Sequence, residues 1–206
     1  FEYDDRTRTL YAGTDSVKAG TFKFTFPVPL DINYSNLSGL INLYAINNKK
    51  DMEANGTFED FLIGGTSTYE KTDTVGPTIA AFSNGRNVSE ISYTNETPTL
   101  YIELNDSSGI NTTGNGLGHD IVAIIDNNEA TTYTLNSYYT QAVGDYTSGT
   151  VTYTLPTLSA GKHSLVIRAF DTLNNMGEQA YSFEVVTGLI EIYDFFNPTG
   201  RKVYSS

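Results

Sequence analysis

Period-two alternation is the feature that most constrains this chain. Thr21-Phe22-Lys23-Phe24-Thr25-Phe26 places three Phe side chains on one face, because successive residues of an extended strand point to opposite sides. Thr99 to Leu104 and Thr131 to Leu135 alternate likewise, and Thr150 to Leu155 sets Val151, Tyr153 and Leu155 together. Ser164 to Phe170 and Ala180 to Val186 continue the pattern. One dry and one wet face per strand is the mark of antiparallel sheets. No segment sustains a helical period. The chain is therefore expected to be all-β, and a set of about six or seven strands parted by turn residues fits a β-sandwich.

Two more strands are expected upstream, at Leu40 to Ala45 and at Phe58 to Ile63, the latter closed by Gly64-Gly65. The pattern then lapses into turn residues at Asp73-Thr74-Val75-Gly76, and Pro77 gives a rigid start to a fresh strand. The reading is of two consecutive β-sandwich domains. Residues 1–75 form a first β-sandwich-like domain, residues 76–187 an immunoglobulin-like sandwich without its disulfide, and residues 188–206 a short tail with apolar positions at Ile190, Ile192 and Phe195. The opening Phe1-Glu2-Tyr3-Asp4-Asp5-Arg6 lacks the basic start and apolar centre of a signal peptide and reads as the interior of a longer chain.

Charge and composition narrow the function. Among 206 residues, 24 acids stand against 12 bases, a formal charge of −12. Phosphate binding needs clustered Lys and Arg, so a nucleic-acid partner is excluded. Charged residues make up only 17%, with 15 Tyr and 18 Gly, which marks a folded acidic chain rather than a disordered one. No apolar run approaches the roughly 18 residues that span a bilayer as a helix. Cys is absent, which removes disulfides, thiolate metal sites and any Cys nucleophile.

Several short motifs fall in one order: Asp106-Ser107-Ser108-Gly109-Ile110-Asn111, Gly116-Leu117-Gly118-His119-Asp120-Ile121, Leu135-Asn136-Ser137-Tyr138-Tyr139, Leu158 to Leu165, and Arg168-Ala169-Phe170-Asp171-Thr172-Leu173-Asn174-Asn175. In this series the chain resembles the region after the catalytic domain of the type IX secretion sortases, gingipain-like cysteine peptidases (family C25) of Bacteroidetes. Tyr11-Ala12-Gly13, Gly20-Thr21-Phe22, Val28 to Ile32 and Gly64-Gly65 extend the resemblance over nearly the whole chain. Its end departs from the family, where a Pro-Asn-Pro turn leads into a full C-terminal signal domain. Here Phe196-Asn197-Pro198 and Gly200-Arg201-Lys202-Val203 give fragments of that start. The resemblance implies an extracellular or outer-membrane-surface parent that cleaves C-terminal signals from secreted cargo. It implies as partners the upstream peptidase domain of the same chain, secretion-system components or cargo. The catalytic Cys and His of the family lie upstream, so no catalytic residue transfers to this chain. The expected role is that of a scaffold or positioning module.

The residues offer their own candidates. Asp106 and Asp171 each end a strand and precede loops rich in Ser, Asn and Gly. Such loops meet at one end of a sandwich, and Ca²⁺ takes 6–8 oxygen ligands from groups of this kind. Asp73, Asp106, Asp171 and Asn174 are therefore candidate calcium ligands clamping the linker to the second domain. The competing account is that Asp and Asn hydrogen-bond their own turns. Tyr138, Tyr139 and Tyr146 are candidate binding residues, since Tyr rings stack on sugars and peptides; lining a core is the other reading. They support the alternative function, an independent adhesin or carbohydrate-binding module. His119 beside Asp120 lacks any Gly-x-Ser-x-Gly elbow, and His163 is read as capping a hairpin.

Overall fold

In the computed structural model the described residues are 9–30, 32, 38–62, 64, 72–83, 86–87, 92–114, 118–188, 190–192 and 202–204. The strands are, in order, β1 (Ile41–Ile46), β2 (Glu53–Phe58), β3 (Thr78–Ser83), β4 (Arg86–Asn87), β5 (Ser92–Thr94), β6 (Thr99–Asn105) and β7 (Val122–Ile125). They continue as β8 (Thr132–Thr134), β9 (Tyr139–Ala142), β10 (Asp145–Thr154), β11 (Gly161–Phe170), β12 (Met176–Val185), β13 (Ile190–Ile192) and β14 (Lys202–Tyr204). Among the described residues the helical turns are two single 3₁₀ turns, Glu129–Thr131 and Asn136–Tyr138. The all-β expectation holds.

Two five-stranded sheets form the centre. One runs β4-β3-β6-β10-β9, the other β5-β12-β11-β7-β8. Every pairing in them is antiparallel except β5 with β12. The alternation read from sequence sets their inner faces. Leu100, Ile102, Leu104, Val151 and Ala81 from the first sheet meet Leu165, Ile167, Ala169, Phe183, Val185 and Ala123 from the second in one buried cluster. Outer positions such as Tyr101, Glu103 and Thr152 stay in water. Burying an aliphatic side chain of this kind contributes about 1.5–3 kcal/mol, so this interface is what holds the two sheets face to face. Tyr181 adds a polar tie by donating its hydroxyl to the Ile79 carbonyl of the opposite sheet, 3.1 Å.

The linker enters the sandwich through a close backbone crossing. A Cβ on Gly76 would strike the Met176 carbonyl, and one on Gly177 would strike the Pro77 carbonyl. Only glycine lets these two chains touch. A second close approach lies at Gly149, whose missing side chain is the space occupied by the Tyr139 ring.

Before residue 75 the structure differs in detail from the expected strands. β1 and β2 pair from Ile41↔Phe58 to Ile46↔Glu53, so the second upstream strand lies at 53–58 rather than at 58–63; Ile63 and Gly65 fall outside the described residues. Thr21 to Phe26 is not a strand. Among the described residues its backbone pairing is the Lys18↔Thr21 bridge. Phe22, Phe24 and Phe26 do share a face, in a ladder that continues onto Tyr11 with centroids 6.2, 6.0 and 4.6 Å apart. Alternation defines a face; ring stacking uses that face without a hydrogen-bonded neighbour. The segment runs as a strap along the sandwich. Gly144 N–H donates to Thr14 O, Leu30 N–H to Thr172 O, and Gln141 Nε2 to the Tyr11 hydroxyl, all at 2.8–2.9 Å. At the other terminus β13 pairs with β14 from Ile190↔Tyr204.

Candidate functional site

β6 and β11 end at the same end of the sandwich, and their continuations are zipped together. Asn111 N–H donates to Phe170 O (2.8 Å), Thr172 N–H to Gly109 O (3.0 Å), and Thr172 Oγ1 to Ser108 O (2.6 Å). This zipper brings Asp106 beside Asp171. Asp73, three residues before the crossing at Gly76, completes the group. Ligand oxygens of Asp73, Asp106 and Asp171 all lie within 4.8 Å of one another. Three of the four candidates named from sequence thus come together.

Each carboxylate is oriented by its own turn. Asp171 is fully buried, with Oδ1 accepting from Leu173 N (2.9 Å) and Asn175 N (2.7 Å) and Oδ2 from Asn175 Nδ2 (2.6 Å). Asp106, 7% exposed, accepts from Ser108 N at 2.7 Å. Asp73 accepts from Val75 N (3.0 Å) and from the hydroxyls of Ser107 (3.1 Å) and Ser108 (2.6 Å). Asn175 Nδ2 also donates to the Asp73 carbonyl, 3.2 Å. The serine contacts were not anticipated, although Ser107-Ser108 directly follow Asp106. Asn174 stands in the Asp171 loop in the left-handed region, φ 62°, with its Oδ1 buried and without a hydrogen-bond partner.

Crowding of like charge marks the electrostatics. Burial, and then the charges of Asp171 and Asp73, push the Asp106 carboxyl up to about 6 against the opposing pull of the Ser108 N–H. Among the described residues no Lys, Arg or His forms an ion pair with Asp106 or Asp171. A proton on Asp106 relieves the repulsion, and so does a hard cation, which favours a set of carboxylate oxygens. The residues fit a calcium-type ion by donor chemistry.

The three tyrosines do not form one platform. Tyr138 is half exposed and stands edge-on to Tyr153, centroids 4.8 Å apart, beside Tyr133. Tyr139 and Tyr146 line a small cavity under the strap with Tyr11, Pro27 and Ile110. Tyr139 turns inward, its hydroxyl buried without a partner, and burial and then the charge of Asp145 raise its pKa well above the usual phenol value. His119 packs tilted against Phe170, centroids 4.6 Å apart. His163 bridges Asp126 and Ser159, a contact between segments that sequence spacing did not signal.

Fold and site together define an all-β region whose two-sheet sandwich carries a carboxylate cluster where the linker joins it. Neither a family model nor a curated protein matches the chain. Among solved structures it is similar to dimeric latent PorU from Porphyromonas gingivalis, a type IX secretion sortase, at 35% identity and a TM-score of 0.56. The match covers 81% of this chain and 16% of PorU. The resemblance read from the motifs is therefore to a region of this sortase, and the chain spans a minor part of that protein's length.

Proposed function

We propose that this chain is a noncatalytic β region of a surface-exposed, gingipain-like cysteine peptidase of the sortase type, and that it positions the peptidase domain or its cargo. The observation that carries this is the likeness to PorU over 81% of a chain that contains no Cys. An extracellular or outer-membrane-surface location is part of this reading, supported by the likeness to a secretion-system protein. Residues 76–187 are read as an immunoglobulin-like domain. Support comes from strand order: β3-β6-β10-β9 and β12-β11-β7-β8 repeat the A-B-E-D and G-F-C-C′ sheets of that fold, with β5 parallel to β12 as an added edge. Residues 1–75 are read as a first, smaller β unit, supported by the self-paired β1–β2 ladder, with its strap at residues 11–30 laid on the sandwich, and residues 188–206 as the start of a signal-like tail.

The test is binding in trans. The purified chain is expected to bind a PorU-type peptidase domain saturably and to hydrolyse no peptide itself. Hydrolysis by the chain alone, or saturable binding on a glycan array without binding to the peptidase domain, contradicts the proposal; the latter favours the adhesin or carbohydrate-binding alternative. A rigid positioning module needs a fixed linker. The convergence of Asp73, Asp106 and Asp171, with Asn174 in the same loop, supports a calcium clamp there. At Ca²⁺ about 100-fold above Kd, linkage adds about 2.7 kcal/mol, a melting rise of roughly 5–10 °C for a chain of this size. No rise in millimolar Ca²⁺ overturns the clamp.

A further inference from the structure

At the opposite end of the sandwich, His163 opens the inner face of β11, followed inward by Leu165, Ile167 and Ala169. Its ring lies on Phe183, its register partner on β12, with centroids 5.7 Å apart. Nδ1 stands 2.8 Å from Asp126 Oδ2, and Nε2 stands 2.8 Å from the Ser159 carbonyl. A carboxylate and a carbonyl only accept. Neutral imidazole carries one N–H and imidazolium two, so the protonated ring alone donates to both.

The two acceptors belong to different segments. Asp126 lies in the tight Ile125 to Asn128 turn, with Asp126 and Asn127 both left-handed at φ 55° and 53°. That turn is held to β11 independently of the ring, through Asp126 N–H to Ser164 O (2.9 Å) and Ser164 N–H to Asp126 Oδ1 (3.0 Å). Ser159 lies in the connector between β10 and β11. Nearby in that connector, Leu158 N–H donates to Glu96 O at 2.8 Å, and the Leu158 side chain rests on the core. The connector therefore has one tie that depends on the charge of the ring.

We infer that His163 is a proton-operated latch on the β10–β11 connector: the imidazolium fastens Ser159 to the Asp126 turn, and loss of the proton releases Ser159. The charge-assisted bond to Asp126 is the stronger of the two and is the one a neutral ring keeps. Among the described residues Asp126 is the charged group bonded to the imidazole. β12 presents Phe183, the connector presents an uncharged carbonyl, and Lys162 and Glu184 pair with each other in register on the opposite face. Burial opposes the ring's charge, but the hydrogen bonds to Ser159 and Asp126 and the Asp126 charge outweigh it and hold the pKa above the usual value. The ring therefore keeps its proton above the pH at which unperturbed histidine loses it.

The chain has two histidines, so the ring resonances are assigned by a single substitution. NMR titration of the full chain is expected to give His163 a midpoint above about 6.5. Amide exchange at Leu158, corrected for intrinsic rate, is expected to speed roughly fivefold above that midpoint, the scale of one hydrogen bond at a partly exposed site. Asp126→Asn should lower the midpoint while leaving the fold intact. His163→Gln, which cannot ionise, should make Leu158 exchange independent of pH; if it does not fold, the Asp126→Asn shift carries the test. A His163 midpoint at or below about 6.5, or Leu158 protection equal on both sides of it, overturns the latch.

Discussion

At one end of the sandwich three carboxylates from separate segments face one another; at the other a single carboxylate faces an imidazole. Both arrangements tie a connecting segment to the ends of strands, β6 and β11 in the first case and β7 and β11 in the second. They differ in balance. Asp126 and His163 compensate each other, and Asp126 is held below the usual carboxylate range by the Ser164 N–H and by His163, against the cost of burial. At the carboxylate end Asp106 is pushed the opposite way. A balanced pair completes itself within the chain. An unbalanced cluster calls for a proton or a cation from outside, which is why the candidate ligand site lies where the linker arrives.

The largest effect expected at either end comes from the backbone. Gly177→Ala sets a methyl group against the Pro77 carbonyl, and where two backbones touch neither can give way cheaply, so a loss of about 3 kcal/mol or more is expected in urea unfolding. A loss under about 1 kcal/mol would mean the crossing is not tight. Next come the carboxylates. Asp171→Ala leaves the Leu173 and Asn175 donors without their acceptor in a fully buried site and should cost about 2–3 kcal/mol. Asp126→Ala, at a half-exposed carboxylate, should cost about 1 kcal/mol or less. Equal losses in the two variants would erase the contrast between the ends.

Much of this was readable in advance, and the unread part has a physical cause. The long strands β6, β10, β11 and β12 announced themselves because each has one face in the core and one in water. Asp106 and Asp171 were legible as strand-ending carboxylates, and Asp73 as the polar residue at the turn-rich linker. β2 was not legible, since all six of its residues are exposed and its register comes from β1 rather than from a buried face. The aromatic run at 21–26 misled for the converse reason: the face was real, but among the described residues no hydrogen-bonded neighbouring strand accompanied it. His163 and Asp126 are 37 residues apart, and nothing local in either segment signals the other. The inward turn of Tyr139 depends on Gly149 across β9 and β10, again a pairing that only register reveals.

The smallest effects are those of pH, and Asp106 and His163 carry the same sign. A group whose folded pKa is raised above its unfolded value binds its proton more tightly when folded, so stability falls as pH rises through the folded pKa. For Asp106 that window runs from about 4 in the unfolded chain to about 6 in the folded one. For His163 it opens near 6.5 and closes at the higher folded value. Asp106→Asn should remove the acidic limb of the stability profile and leave the neutral one; His163→Gln should do the reverse. Were both limbs to survive either substitution, other groups would be responsible for them.

The most direct test of the claim that the carboxylate end awaits a cation while the histidine end is complete is thermal unfolding across pH, in Ca²⁺ and in chelator. The gain from Ca²⁺ should be smallest at acid pH, where Asp106 carries its proton, and should grow as pH rises through the Asp106 value of about 6. The neutral His163 limb should be the same in both solutions. A gain absent at every pH, or constant across the whole range, would contradict the account.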